Sequence, residues 1–271
     1  ASARRRTSRF TLSLISMPPS GLQEFINSLQ AAARDLPSSS CVARYGLGSL
    51  LVYLPDLGPY ETAERMEPLL HSLSAELHQE TAAGIGFYPC LDHTRGETLD
   101  LAKQALEHAR LLPPPGLACF DSTTSTLYGD RAFARNEMRQ AMHAYSQALL
   151  LDETNSLARN SLAISLARVG KLNQACAEFR RILDLDPQNY MAEYNYGYLC
   201  LKLEDRDQAR ACFLRCLQLM PGHSYSLLRL GQMAEEDGSL EQAEDYCRRA
   251  ADSAPDQGAP YRVLGRLALK S

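Results

Sequence analysis

The second half of the chain repeats one pattern of small, apolar and polar positions every 34 residues. Four segments, 122–155, 156–189, 190–223 and 224–257, align without a gap. Position 20 is always alanine, position 8 is glycine or alanine, position 24 is aromatic or cysteine, and position 32 is proline in the last three segments. Small residues at positions 8 and 20 let two helices approach closely, and a proline ends a helix because it cannot continue the hydrogen-bond ladder. The pattern therefore predicts a pair of helices in each segment.

These positions resemble the tetratricopeptide repeat, and the resemblance covers about half of the chain. It implies an all-α superhelix over residues 122–257, in which each repeat buries its apolar face only by stacking on its neighbours. Residues 258–271 are predicted to form a capping helix, because Leu264, Gly265 and Ala268 would pack on the fourth repeat.

The resemblance also implies a function, the binding of a protein or peptide in a groove lined by the first helix of each repeat. Transferred position by position, the groove consists of Asn160, Arg168, Met191, Tyr194, Tyr198, Lys202, Tyr225, Leu228, Arg262, Arg266 and Lys270. The tyrosines predict an aromatic patch that has a partner, and the last three cations favour an acidic end of that partner. The alternative is that some of these tyrosines pack between helices. Thr126 and Asp130 replace the lysine and asparagine with which some members of the family bind a C-terminal carboxylate, which disfavours a receptor for chaperone tails.

The first part of the chain has a different pattern, with short apolar strands and amphipathic helices in alternation. Residues 1–8 read as a basic tail. Strands are predicted at Arg9–Met17, Cys41–Leu54 (a hairpin with a glycine-rich turn), Thr81–Tyr88 and Leu117–Asp121, and helices at Gly21–Leu36, Tyr60–Leu77 (kinked at Pro68) and Glu97–Leu112. This order predicts an α/β domain over residues 9–121, with helices packed on a ferredoxin-like sheet.

Four segments of this domain resemble GGDEF domains, the diguanylate cyclases. The hairpin CVARYGLGSLLVYLP (41–55) is similar to their signature hairpin, and TAAGIGFYP (81–89) to their central strand. DLAKQALEHAR (100–110) is similar to their last helix, and Phe120-Asp121 to their closing strand. The resemblance implies a nucleotide-cyclase-like fold and a bacterial signalling protein.

The residues that the cyclase chemistry needs are missing from these segments. The metal-binding aspartate of the family falls on Ser16, and its acidic pair falls on Gly48 and Ser49, in a turn that also contains Gly46. Two metal ions held by carboxylates are needed to activate the hydroxyl and neutralise the triphosphate. Arg110 is the one remaining candidate for a phosphate contact, and its alternative role is a solvated surface charge. We therefore expect no catalysis, no cofactor and no metal, and the alternatives are a nucleotide-responsive signalling protein or a weak diguanylate cyclase.

Composition and charge restrict the class of partner. A formal net charge of -4 predicts no nucleic-acid partner, and no apolar run approaches the length of a membrane span. Eight cysteines without a CxxC pair indicate reduced core thiols in a cytoplasmic protein. Homo-oligomerisation and the identity of the partner stay open. Because Ser122 follows the last predicted strand at once, we also expect the α/β domain and the first repeat to form one rigid body.

Overall fold

A computed structural model describes residues 9–16, 39–77 and 81–269 of the chain. The basic tail, the predicted helix Gly21–Leu36 and Lys270 lie outside the described residues. The chain divides into two compact units, residues 1–158 and residues 159–271. The first repeat therefore belongs to the same unit as the sheet.

The first unit contains a five-stranded sheet. Its strands are β1 (Phe10–Ser16), β2 (Cys41–Arg44), β3 (Ser49–Pro55), β4 (Ala82–Tyr88) and β5 (Gly116–Cys119). They lie in the order β2-β3-β1-β4-β5, and every neighbouring pair is antiparallel except the parallel pair of β4 and β5. In the register of the sheet, Ser16 lies beside Ser49 on one side and Ala82 on the other.

Two long helices cover opposite faces of this sheet, because successive side chains of a strand point to opposite sides. Helix α1 (Pro59–Leu77) packs on the face that carries Ile15. Helix α2 (Thr98–Ala109) packs on the face that carries Leu14, directly over β4. A Cβ atom added at Gly84 would lie 2.0 Å from the backbone nitrogen of Leu106, so only glycine allows this approach.

The first repeat follows the sheet without a spacer. It consists of α3 (Ser122–Ala134) and α4 (Met138–Leu151). The Asp121 side chain accepts a hydrogen bond from the Thr124 backbone N–H at 2.7 Å and caps α3. The Thr124 hydroxyl is 2.9 Å from Nδ1 of His108 in α2, which joins the repeat to the α/β part of this unit.

The second unit consists of helix pairs. Its first helices are the part of α5 (Ser156–Arg168) after Ala158, α7 (Tyr190–Lys202) and α9 (Ser224–Glu236), and its second helices are α6 (Leu172–Leu185), α8 (Arg206–Leu219) and α10 (Leu240–Ser253), with α11 (Gly258–Ala268) at the end. These starting residues have the 34-residue period that the sequence predicts. The alanines at position 20 are fully buried. A Cβ atom at Gly231 (position 8) would lie 2.5 Å from Sγ of Cys247 (position 24), so the small residues set the spacing of each pair.

The structure differs from the sequence prediction at a few boundaries. The last helix of the α/β part ends at Ala109 instead of Leu112, and the last strand is Gly116–Cys119. Helix α1 runs as one helix through Pro68, whose side chain is exposed while Met66 and Leu70 are buried. Pro68 thus lies on the exposed side of α1, where the helix lacks one backbone hydrogen bond. In the described residues, no helix is long and apolar enough to cross a membrane.

Candidate functional site

The first helices of the second unit carry the side chains that the sequence predicts for the groove. We call the surface formed by α7, α9, α11 and the part of α5 after Ala158 the first-helix face. Several of its large apolar side chains are exposed, with fractions of 39% for Ile164, 47% for Met191 and 51% for Tyr225. Asn160 is half-buried, and Arg168, Lys202 and Arg262 are exposed. A surface of this kind can bind an apolar side chain of a partner.

An aromatic cluster joins α7 to α9 on this face. The rings of Tyr194 and Tyr225 are 5.9 Å apart, and Tyr194 is 5.0 Å from the ring of His223 and 5.8 Å from that of Phe213. Burial raises the pKa of the Tyr194 hydroxyl, although the nearby Arg229 guanidinium opposes this shift. Tyr194 therefore packs partly between helices, as the alternative interpretation holds, while Tyr225 offers its ring to solvent.

Two cations converge on the half-buried ring of Tyr198. The Lys202 ammonium lies 5.6 Å from the centroid of this ring, and the Arg229 guanidinium lies 5.1 Å from it. Arg229 also donates a hydrogen bond of 3.0 Å to Oε1 of Gln232, which restricts the guanidinium further. Attraction to the ring holds both cations close to the surface without neutralising them.

The carboxylates of the first-helix face are all engaged within the chain. Glu193 binds Arg215 of α8 at 2.9 Å, Glu235 binds Arg266 at 2.7 Å, and Glu236 binds Arg206 of α8 at 2.5 Å. In contrast, Lys202, Arg229 and Arg262 have no carboxylate partner among residues 9–16, 39–77 and 81–269. The face therefore keeps unpaired positive charge beside its aromatic cluster.

Two residues predicted for the groove are not available there. Leu228 is only 7% exposed and packs in the core with Val263 and Leu267 of α11. Position 5 of the fourth repeat faces the capping helix, and burial of its apolar side chain stabilises that contact. Arg266 is bound by Glu235 through both Nε and Nη2, so its charge is already compensated. Lys270 lies outside the described residues.

Sequence reasoning did not include His223 in the site. Its Nδ1 atom accepts a hydrogen bond from the Ser226 backbone N–H at 3.3 Å and caps α9. Burial lowers the pKa of this imidazole. Its place in the sequence could have indicated this role, since His223 immediately precedes the first helix of the fourth repeat and follows Gly222 in a turn.

The positions that the sequence resemblance relates to cyclase chemistry lie at one end of the sheet. Ser16 ends β1, Ser49 begins β3 beside it, and Nη2 of Arg110 donates a hydrogen bond of 2.7 Å to the Ser16 hydroxyl. Gly46 has a φ of 77°, which suits a glycine in the tight turn before β3, and Gly48 follows in the same turn. This edge brings together hydroxyl groups and one guanidinium.

A cleft of about 450 Å³ in the first unit is a weaker candidate. It lies between α2 and the first repeat and is lined by residues such as His93, Glu97, Asp100, Glu107, Tyr128 and Gln147. Asp100 binds Lys103, Glu107 binds Arg131, and Nε2 of His93 is 2.8 Å from the Gln147 amide. Because most of its charged groups are engaged within the chain, this cleft offers less to a ligand than the first-helix face.

Comparisons with known proteins agree with the period and with the helix pairs. A family described as a tetratricopeptide repeat matches residues 128–190, and one described as the cilia and flagella-associated protein 70 middle TPR-like domain matches residues 187–262. No curated protein matches the chain.

Among solved structures, PilF from Pseudomonas aeruginosa is 22% identical and has a TM-score of 0.51. The match covers 55% of this chain and 68% of the PilF chain. MamA from Desulfovibrio magneticus RS-1 is 20% identical and has a TM-score of 0.50, covering 55% of this chain and 84% of its own. At these identities the two likenesses concern the fold alone.

Proposed function

Because residues 128–262 carry tetratricopeptide repeats, we propose that this protein binds an acidic segment of another protein on its first-helix face. The observation that carries the proposal is the uneven pairing of charges on that face. No carboxylate of the described residues binds Lys202, Arg229 or Arg262, whereas Glu193, Glu235 and Glu236 are all bound within the chain. A partner with carboxylates complements this charge, and complementary charge favours both the encounter and the correct partner.

The exposed rings and the apolar side chains define the second requirement for the partner. Tyr225 and Met191 are half-exposed, and Tyr225 packs against the buried His223 and the partly buried Tyr194. Buried aromatic anchors are the residues on which binding energy usually concentrates. We therefore expect the partner to place one large apolar side chain on this cluster and its carboxylates beside Tyr198.

Peptide selection tests the proposed function. A random peptide library displayed on phage is selected on the full chain and, in parallel, on a Tyr194→Ala, Tyr225→Ala variant. We expect the full chain to enrich peptides with net negative charge and at least one large apolar residue, and the variant to lose them. Truncation of a buried aromatic anchor costs about 2 kcal/mol or more, which is at least about thirtyfold in affinity. Peptides without a charge bias, or retained equally by both baits, would contradict the proposal.

For the first unit we propose a cyclase-like domain without cyclase activity. Its strand order places β3 between β2 and β1 and antiparallel to both, which is compatible with a split βαβ arrangement. The positions that the resemblance assigns to metal-binding carboxylates hold Ser16, Gly48 and Ser49. Without those carboxylates, several kcal/mol of transition-state stabilisation are missing.

We expect the purified chain to form no cyclic di-GMP from GTP with magnesium or manganese. Chromatography of the reaction mixture measures the product, and a competent diguanylate cyclase serves as the positive control. If the full chain formed cyclic di-GMP and an Arg110→Ala variant did not, the protein would be a weak diguanylate cyclase instead. Binding of GTP without turnover, lost in the same variant, would favour the nucleotide-responsive alternative.

The state of the cysteines indicates the redox conditions of the compartment in which the protein works. All eight are thiols, and six of them are buried. Burial raises the pKa of the Cys212 thiol to about 12 and that of the Cys247 thiol to about 11, so both are protonated and unreactive at neutral pH. Buried thiols of this kind fit a reducing compartment such as the cytoplasm.

A further inference from the structure

The imidazole of His223 occupies the centre of the aromatic cluster. Its ring lies 5.7 Å from that of Tyr190, 5.0 Å from that of Tyr194 and 6.0 Å from that of Tyr225. The residue is only 9% exposed. A polar ring in such a place must satisfy both of its nitrogen atoms or leave one of them for a ligand.

The hydrogen bonds of Nδ1 determine the tautomer of this ring. The backbone N–H of Ser226 can only donate, so Nδ1 must be an acceptor without a proton. The Ser226 hydroxyl at 2.9 Å and the Cys216 thiol at 3.4 Å are on the same side of the ring. The neutral imidazole therefore carries its proton on Nε2.

Among the residues that the structure describes, none accepts a hydrogen bond from the Nε2–H group. Nε2 is also not among the fully buried side-chain atoms that lack a partner in the described part of the chain. Since it is unpaired and yet not fully enclosed, Nε2–H still reaches the surface.

We propose that His223 is a recognition residue of the first-helix face, whose Nε2–H donates a hydrogen bond to a carbonyl oxygen of the bound segment. This inference rests on the proposed function. The cap at Nδ1 fixes the ring, so the donor is oriented before the partner arrives and loses little entropy on binding. In the complex the flanking tyrosine rings would cover this bond, so a partner that has no acceptor there would leave a donor unsatisfied.

The groups that face His223 keep it neutral. They are Cys216 from α8, Tyr190 and Tyr194 from α7, and Tyr225 and Ser226 from α9, and none of them is a carboxylate or a cationic side chain. Protonation of Nδ1 would set two donors against each other at the cap of α9. The folded chain therefore binds this proton less readily than the unfolded chain does, and the stability that His223 contributes is lost as the pH falls below about 6.5.

Two substitutions separate the cap from the donor. His223→Asn keeps an oxygen near the position of Nδ1, and asparagine is among the best N-cap residues, but it has no group at the position of Nε2. His223→Gln places an amide N–H near the position of Nε2 but loses the cap. If recognition depends on Nε2–H, peptides selected on the natural chain should bind His223→Asn about tenfold more weakly, and His223→Gln should recover part of that loss.

The order of the two variants decides between recognition and structure. A residue that only caps α9 would give the opposite order, with His223→Asn equal to the natural chain in affinity, and that result would overturn the inference. Loss of the peptides in the Tyr194→Ala, Tyr225→Ala variant, measured alongside, shows separately that the proposed function holds.

Ring nitrogen NMR of the full chain tests the same inference without a ligand. The His223 signals, identified by their absence in His223→Asn, should show the proton on Nε2 and a pKa below about 6.5. A proton on Nδ1 would overturn the inference even if no peptide had been selected. Selection of no peptide at all would count against the proposed function, and the NMR result would still decide the state of His223.

Discussion

Reversal of the two cations beside Tyr198, by Lys202→Glu with Arg229→Glu, should lower affinity for an acidic peptide about a hundredfold or more. Each cation has no carboxylate partner among the described residues, so a bound carboxylate would be its first. Hydrogen bonds to charged groups contribute about 1.5–3 kcal/mol each, and two of them correspond to about two orders of magnitude or more in the dissociation constant. The same variant should gain affinity for basic peptides, because its two new carboxylates repel an acidic peptide and attract a basic one.

A matched control reverses two cations of the fourth repeat that lie away from the first-helix face. Arg248 and Arg249 lie on α10, a second helix, and pair with Glu244 and Asp245 one turn earlier. Arg248→Glu with Arg249→Glu makes the same change in net charge away from the first-helix face. Fluorescence polarisation with the selected peptides should show little change for this control. Equal losses in both double variants would mean that only net charge matters and that the face has no specific site.

Removal of the Glu178 carboxylate should destabilise the second unit by about 3–5 kcal/mol. Glu178 binds Arg159 at 2.9 Å, and both side chains are largely buried, at 13% and 9% exposure. Taking away one partner of a buried pair leaves the other charge without compensation in a medium that solvates it poorly. Glu178→Ala should therefore lower the urea midpoint of unfolding strongly, with circular dichroism as the readout.

Arg181→Ala is the control for this substitution, because Arg181 binds the other oxygen of the same carboxylate at 2.7 Å but is 62% exposed. An exposed pair contributes about 0–1 kcal/mol, so the loss should be small. If Glu178→Ala and Arg181→Ala lowered the midpoint equally, the Arg159 pair would not stabilise the fold. Glu178→Ala removes both pairs of this carboxylate, whereas Arg181→Ala removes only the exposed pair and leaves the buried pair with Arg159 intact.

The array contains two kinds of cation, those that pair with a carboxylate and those that lie against an aromatic ring. Arg159, Arg215 and Arg266 each bind a carboxylate on a neighbouring helix and contribute to packing. Lys202 and Arg229 instead lie against an aromatic ring. Ring contacts restrict a cation without cancelling its charge, and such cations stay available to a partner.

The sequence by itself determined the architecture of the array. Helix starts at Ser156, Tyr190 and Ser224 follow from a period of 34, because small residues at fixed positions allow only one close packing of each helix pair. The strands of the first unit were likewise predictable from their apolar runs. The absence of carboxylates at Ser16, Gly48 and Ser49 is a property of the sequence alone, although its meaning depends on the resemblance.

Only the tertiary structure decided which of the predicted groove residues are available. Arg266 and Glu235 are 31 residues apart, and their pairing depends on how α11 packs against α9. Leu228 is buried by the same packing. A repeat pattern shows which side of a helix a residue occupies, but it does not give the distance between side chains of different helices. His223 lies outside the helices, so its two roles follow from a turn that places one nitrogen on a cap and the other among tyrosine rings.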